Sequence, residues 1–414
     1  MSFSSLGLCD ELLKTVQEQG YELPSPIQTK AIPLVLSHRD VMAVAQTGTG
    51  KTAAFTLPII QLLAGDKNSQ AQSPRALIIA PTRELAAQVA ENIQNYSRHM
   101  NIRSAAVFGG VRIEPQISQL QHGVDLLVAT PGRLIDLYNQ GALNFEQLEI
   151  LVLDEADRML DLGFIDDIRR IQLLLPIKRQ TLMFSATFSK QIKTLAKDML
   201  TNSVSIEVAI EKGAIDKIKQ QLHPVDKERK SELLIHLLKK HNWKQVLVFI
   251  RTKLDADRLA AQLENSGIGA ASIHANRTQH ARTQALDGFK TGGIQVLVAT
   301  DIASRGINVH QLPCVINFNL PYIPEDYTHR IGRTGRAGTS GLAISFFSED
   351  ESKQLKAIER ATGRQLKREV ISGFAPIEKV SAESVDDDEY GNFEADPKPD
   401  RRGQSRGRKG RSRK

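Results

Sequence analysis

The chain has 414 residues, 41% of them hydrophobic, and a net charge of +7; it is too long for one typical domain and can bury two full cores. No apolar run approaches 18 residues, and the N-terminus MSFSSLGLCDELL lacks a basic region ahead of an apolar one, so neither a transmembrane helix nor a secretory signal is expected. Cys9 and Cys314 are the two cysteines, which excludes a disulfide framework or a cysteine metal cluster and fits a reducing, cytoplasmic setting. The last 14 residues, RRGQSRGRKGRSRK, hold eight Lys/Arg and no acid, leaving residues 1–400 at −1. Any nucleic-acid site on the body must therefore rest on placed groups and not on bulk charge.

In chain order, short apolar and β-branched runs at 41–45, 76–80, 104–108, 125–129, 149–153 and 180–184 predict strands, each followed by a helix-like segment. A second series runs at 246–250, 270–273, 295–299, 314–318 and 342–346. Strands alternating with helices imply βαβ units and mostly parallel sheets, and runs that are apolar without alternation fit strands covered on both faces. Leu127-Val128-Ala129-Thr130 recurs as Leu297-Val298-Ala299-Thr300 at the end of a run in each half, a short sign of a duplicated plan. The reading is an α/β chain with domains over 1–203 and 221–375 and a linker at 204–220, where helical periodicity is weak. Residues 376–414 are acidic and poor in aliphatics, then basic, and are expected to be disordered.

The polar clusters sit just after the runs: AQTGTGKT after 41–44, PTREL after 76–80, TPGR after 125–129, DEAD after 149–153 and SAT after 180–184. Ligands of open α/β sheets bind beyond the carboxyl ends of the strands, so these clusters describe one site. AQTGTGKT is a phosphate loop with Ala45 in place of the first glycine. Gly48 and Gly50 turn backbone N–H groups toward phosphates, Lys51 reaches the β/γ-phosphates and Thr52 offers a hydroxyl to Mg²⁺. An acidic helix start alone would explain the carboxylates of LVLDEADRML. Opposite a phosphate loop, Asp154 becomes the second Mg²⁺ anchor, and Glu155 the group that orients or deprotonates the attacking water.

Asp154-Glu155-Ala156-Asp157 spells the signature of DEAD-box ATP-dependent RNA helicases, and the chain resembles that family over about residues 1–375. GYELPSPIQ (20–28), with Phe3 upstream, resembles the adenine-reading motif. PTRELAAQ (81–88), Gly109-Gly110 and TPGR (130–133) resemble RNA-contact motifs, and SAT (185–187) a coupling motif. VFIRTK (248–253), TQHAR (278–282), ATDIASRGIN (299–308) and HRIGRTGR (329–336) match the second domain. The compact body and short tail look closest to the bacterial RhlE-type subgroup. The resemblance implies two tandem RecA-like P-loop domains with parallel sheets, ATP and Mg²⁺ as cofactors, and RNA as partner, read without sequence preference as single strand or short duplex. It implies that Gln28 reads adenine with Tyr21 or Phe3 near the base, that Arg333 and Arg336 are arginine fingers, and that Asp157, Ser185, Thr187 and His329 couple the sites. RNA contacts would come from Pro81, Thr82, Arg83, Gly110, Thr130 and Arg133 on one side, and from Arg251, Gln279, Arg282 and Thr300 on the other. Asn308 stands where the family usually has an Asp associated with the ATP ribose, which puts ribose affinity in question. Ala275 follows His274 where Gly is common, which matters if that position needs φ > 0.

The expected activity is RNA-dependent ATP hydrolysis, with domain closure prying apart short duplexes or remodelling RNA–protein complexes and hydrolysis resetting the clamp. An ATP-gated RNA clamp and a DNA translocase are the rival readings. Ribosomal precursors or RNA-degradation complexes are the expected settings, with no membrane and a monomeric chain. The basic tail reads as an RNA tether.

Overall fold

A computed structural model describes residues 2–45, 48–64, 73–208, 218–304, 309, 312–335 and 341–377. The acidic and basic segments beyond 377, expected to be disordered, lie outside the described residues, as do Asn308 and Arg336. The first sheet comprises β1 (Val41–Val44), β2 (Ala76–Ile79), β3 (Ser104–Val107), β4 (Leu126–Ala129), β5 (Ile150–Leu153), β6 (Gln180–Ser185) and β7 (Val204–Glu207). Their order is β3-β4-β2-β5-β6-β1-β7, every pairing parallel. The second comprises β8 (Ile218–Pro224), β9 (Val246–Phe249), β10 (Ala270–Ile273), β11 (Val296–Ala299), β12 (Cys314–Asn317) and β13 (Gly341–Phe347). It is also all parallel, in the order β10-β11-β9-β12-β13-β8.

Helices cover both faces of each sheet, and the packing explains the unbroken apolar runs. Val41 and Ala43 of β1 enter one core while Met42 and Val44 enter another. In the second sheet Val246 and Val248 face one core, Leu247 and Phe249 the other. A strand with two buried faces favours apolar side chains at most positions. Among the described residues no helix is long and apolar enough to cross a membrane.

One strand lies inside the segment expected to be a linker and a second begins within it. Residues 204–207 pair with β1, and 218–224 pair with β13. Both are edge strands with exposed positions, Ser205 and Glu207 in β7 and Lys219 in β8, so neither shows a continuous apolar run. The stretch between the sheets is correspondingly shorter than 204–220.

The repeated LVAT marks the same place in both sheets. β4 and β11 each lie second from the edge, and each is followed by a threonine whose N–H donates to the edge strand. Thr130 N reaches Val107 O at 3.1 Å and Thr300 N reaches Ile273 O at 3.3 Å. Other polar residues at strand ends cap the helices that follow: Thr82 Oγ1 accepts from Leu85 N, Thr252 Oγ1 from Asp255 N and Thr278 Oγ1 from Ala281 N. Such caps are worth about 1 kcal/mol each, and they hold the strand-to-helix turns that carry the motifs.

Candidate functional site

A cleft of ≈ 650 Å³ lies beyond the ends of β1 and β5 and is lined by Tyr21, Gln28, Gly48, Thr49, Gly50, Lys51, Thr52, Asp154, Glu155 and, from the second sheet's side, Arg333. The helix Lys51–Ala64 starts at its floor, so the N-terminal backbone N–H groups and helix dipole favour an anion there. Gly48 and Gly50 have φ of 79° and 90°, as the phosphate-loop turn requires. Gly50 also has no room for a side chain, because a Cβ there would collide with the Gln28 amide. Lys51 is buried and its Nζ donates to Ala45 O at 2.8 Å, which places it across the loop.

Gln28 is buried, although Pro24 and Pro26 opening a helix would by themselves allow it to be exposed. Ser25 and Gln28 form a capping box at the start of the helix Pro26–Leu36; Gln28 Oε1 accepts from Ser25 N at 2.8 Å, and its Nε2 donates to Gly50 O at 3.2 Å. The helix cap thus clamps the amide against the phosphate loop. It leaves one N–H and one lone pair, the pair needed to read adenine N6 and N7. Tyr21 borders the cleft, while Phe3 is buried and stacks behind it at 6.4 Å. Tyr21 Oη also meets Tyr96 Oη at 2.9 Å.

Asp154 is 2% exposed, and its Oδ1 has no hydrogen-bond partner among the described residues. Burial, reinforced by the neighbouring Glu155 carboxylate, pushes its pKa up to about 7, against the pull of Lys51. A buried carboxylate oxygen without a partner is costly, and a cation relieves that cost. Glu155 sits at φ 53°, ψ 53°, a left-handed conformation rare outside glycine that costs on the order of 1–3 kcal/mol and clusters at functional sites. Arg333 is 6% exposed; burial lowers its pKa and the Glu155 charge raises it. An arginine from one domain and the Glu155 carboxylate of the other thus share the cleft.

A second contact set links this cleft to the neighbouring strand. Asp157 Oδ2 accepts from Ala186 N at 3.0 Å and Thr187 N at 2.9 Å, tying the end of β5 to the SAT turn after β6. Ser185 Oγ donates to Thr187 O at 2.8 Å. His329 lines the crevice beside Asp157; burial depresses its pKa and Asp157 opposes that shift. Arg330 is not presented to a ligand: its Nε and Nη2 each reach the Asp301 carboxylate at 2.6 Å, and its Nη1 reaches Asn319 O at 2.7 Å.

The expected RNA contacts divide along the same edges. Pro81, Thr82 and Arg83 follow β2, Gly110 follows β3, and Thr130 and Arg133 follow β4. Gly110 has φ 79° and packs against the Arg83 guanidinium where any side chain would collide. Arg133 Nη2 donates to Val111 O at 2.9 Å, while its Nε and Nη1 are buried without partners. Across the cleft, Arg251 Nε, Gln279 Oε1 and Arg282 Nε are also buried without partners among the described residues. Each such atom costs about 1–3 kcal/mol if left unpaired, a cost that a polar ligand along these edges would relieve.

Gln279 and Arg282 have a partner that the sequence reading missed. Gln279 Nε2 donates to Glu84 Oε1 at 3.2 Å and Arg282 Nη2 pairs with Glu84 Oε2 at 2.8 Å, a contact between the two domains. Glu84, in PTREL, reads in the sequence as an acidic residue in a helix's first turn, favoured there by the dipole anyway; nothing in one sequence marks its distant partner. Ala275 is not among the positive-φ residues, so alanine in place of the usual glycine imposes no backbone strain.

The DEAD/DEAH box helicase profile matches residues 25–195 and the helicase conserved C-terminal domain profile matches 229–338. The chain is 42% identical over 370 residues to the ATP-dependent RNA helicase RhlB of Pseudomonas syringae pv. tomato, covering 88% of this chain and 93% of that one. Among solved structures, S. cerevisiae Dbp5 bound to RNA and ADP BeF3 superposes with a TM-score of 0.80 at 32% identity, covering 91% of this chain and 95% of that one. A Dbp5 variant bound to Nup159, Gle1, IP6 and ADP gives 0.61 at 31% identity, covering 90% and 96%. These matches do not separate the RhlE-type subgroup from its neighbours. Two profiles in tandem and this identity over nearly the full length of a relative place the chain in one family: it belongs to the DEAD-box helicases.

Proposed function

We propose that this chain is an RNA-dependent ATPase that locally unwinds short RNA duplexes or remodels RNA–protein complexes by closing two domains around ATP and RNA. The observation that carries this reading is Arg333 standing in the cleft formed by the phosphate loop, Asp154 and Glu155. Gln28 reads the adenine and Lys51 steadies the β/γ-phosphates. Glu155 orients the attacking water, and Arg333, joined by Arg336, balances charge that develops on the transferred phosphoryl group. Such a finger is worth roughly 10³–10⁵ in rate, so hydrolysis waits for closure. The orphaned Oδ1 of Asp154 and the adjacent Thr52 suit a divalent cation with few protein ligands. Bound Mg²⁺ would neutralise charge on the phosphate oxygens.

RNA lies along the other ends of the same edges, against Pro81, Thr82, Arg83, Gly110, Thr130 and Arg133 in the first domain and Arg251, Gln279, Arg282 and Thr300 in the second. Hydroxyl, backbone and guanidinium contacts to sugar and phosphate position a strand without reading its sequence. Both ligands favour the closed form, so each strengthens the other's binding by the same factor. The Asp157 bonds to the SAT turn and the His329 contact carry the change between the sites, and hydrolysis resets the clamp. The first domain runs through β7 to Glu207, the second begins with β8 at Ile218, and the eight basic residues of the tail tether RNA. We place the chain in the cytoplasm, as a monomer acting on ribosomal precursors or in RNA turnover; two isolated thiols, one of them buried, support a reducing compartment. Steady-state ATPase with single-stranded RNA and with DNA of equal sequence tests the proposal. RNA alone should stimulate; equal stimulation by DNA contradicts it.

A further inference from the structure

Strand order extends the RNA edge of the second domain by one position. Reading β10-β11-β9-β12, the segments that follow carry Gln279 and Arg282 at the start of the helix Gln279–Lys290, then Thr300, then Arg251, and next the loop at 318–323. Lys253 Nζ bonds Asn276 Oδ1 at 2.9 Å, tying the β9 loop to the β10 loop. A strand that crosses the first three positions meets Tyr322 at the fourth.

Tyr322 is 66% exposed, unusual for a tyrosine, and the Arg251 guanidinium lies 4.5 Å from its ring centroid. Arg251 is itself held from below. Its Nη2 pairs with Glu351 Oε1 at 3.2 Å, and its backbone N–H donates to Asn319 Oδ1 at 3.1 Å. Glu351 is 1% exposed and is balanced by the equally buried Lys230 at 2.6 Å. Leu320 N–H also donates to Glu351 Oε1, at 3.1 Å, so the same buried carboxylate fixes both the arginine and the loop that bears the tyrosine. The result is a planar cation under an aromatic ring on a rigid base, with most of the ring left to solvent.

We propose that Tyr322, backed by Arg251, is a stacking platform for one unpaired base of the bound RNA. Every nucleobase has a π-face, so the platform is indifferent to sequence and adds grip where phosphate contacts add position. The inference rests on the RNA reading above, and its test fails separately from that reading.

The test is fluorescence anisotropy of the full-length protein with a short labelled single-stranded RNA and a non-hydrolysable ATP analogue, scanning one abasic site along the strand. Loss of one base stack weakens binding about 5- to 150-fold. Tyr322→Ala and Tyr322→Leu should lose that factor, while Tyr322→Phe stays within about twofold, since the ring and not the hydroxyl carries the stacking. Wild type should lose a matching factor at a single abasic position, and Tyr322→Ala should lose nothing more there, a coupling that a merely structural role would not produce. The salt dependence should be unchanged, because no phosphate contact is removed. Unchanged affinity in Tyr322→Ala, or equal sensitivity of wild type and variant at every abasic position, overturns the platform. RNA-stimulated ATPase that persists in that case leaves the helicase reading standing.

Discussion

Replacing Glu84 should cripple closure without harming either domain. Glu84 and Arg282 are buried, 6% and 9% exposed at the side chain, and 2.8 Å apart. Gln279 occupies the other carboxylate oxygen at 3.2 Å. Glu84→Gln keeps the shape and the Gln279 contact but turns a charge-assisted bond into a neutral one, a loss of about 1–2 kcal/mol. Glu84→Ala leaves Arg282 buried and unpaired, about 3–5 kcal/mol. The contact exists only when the domains meet, so the whole cost falls on the closed state. RNA affinity with a non-hydrolysable ATP analogue should fall about 5- to 30-fold for Glu84→Gln and more than about 100-fold for Glu84→Ala. Affinity without nucleotide should stay within about twofold, because the open form lacks the contact. Anisotropy with labelled RNA reads both quantities. Arg282→Gln combined with Glu84→Gln should cost less than the two penalties added, since both remove one interaction. Strict additivity, or an equal loss with and without nucleotide, would refute the idea that Glu84 fastens one domain to the other.

Three further outcomes follow. Asp154→Asn should abolish ATPase yet stabilise the nucleotide-free protein, because the native carboxyl, pushed up to about 7 from 3.8, binds a proton that the unfolded chain releases. Stability from that proton is fully present below about pH 4 and lost as pH rises to about 7, so the Asn variant gains up to about 4 kcal/mol at pH 8 and little at pH 4, read by urea denaturation; a pH-independent gain would contradict the assigned shift. Arg333→Ala should lower RNA-stimulated kcat by roughly 10³-fold or more, and a loss under tenfold would remove it from the transition state. Truncation after residue 400 should flatten the log–log salt slope of RNA binding by up to about 5.6, at about 0.7 per phosphate contact; an unchanged slope would show that the tail does not touch RNA.

Nine of the eleven runs are interior strands and were legible because a strand buried on both faces is apolar at most positions, as β1, β5 and β9 are; the edge strands β3 and β10 also carry mostly small apolar residues. β7 and β8 were not, because edge strands tolerate Glu207 and Lys219 on an open face, and the linker boundaries erred with them. The phosphate loop and the DEAD carboxylates were readable for a chemical reason: phosphate and Mg²⁺ demand particular groups at fixed offsets from a strand end. Gln28 needed the structure to show how a helix cap holds an amide against Gly50. Glu84 and Tyr322 were invisible, since their meaning lies in partners 198 residues away across the cleft and 71 residues away on an adjacent strand. The family resemblance supplied Arg333; the structure supplied its company, Glu155.

The central claim is that ATP and RNA close one jaw, and thermodynamic reciprocity tests it most directly. Glu155→Gln, which should bind ATP without turning it over, permits both affinities to be measured at equilibrium with full-length protein. The account predicts that saturating ATP tightens RNA binding by about 5- to 150-fold and that saturating RNA tightens ATP binding by the same factor. RNA affinity that does not change between ATP-free and ATP-saturated protein would contradict it.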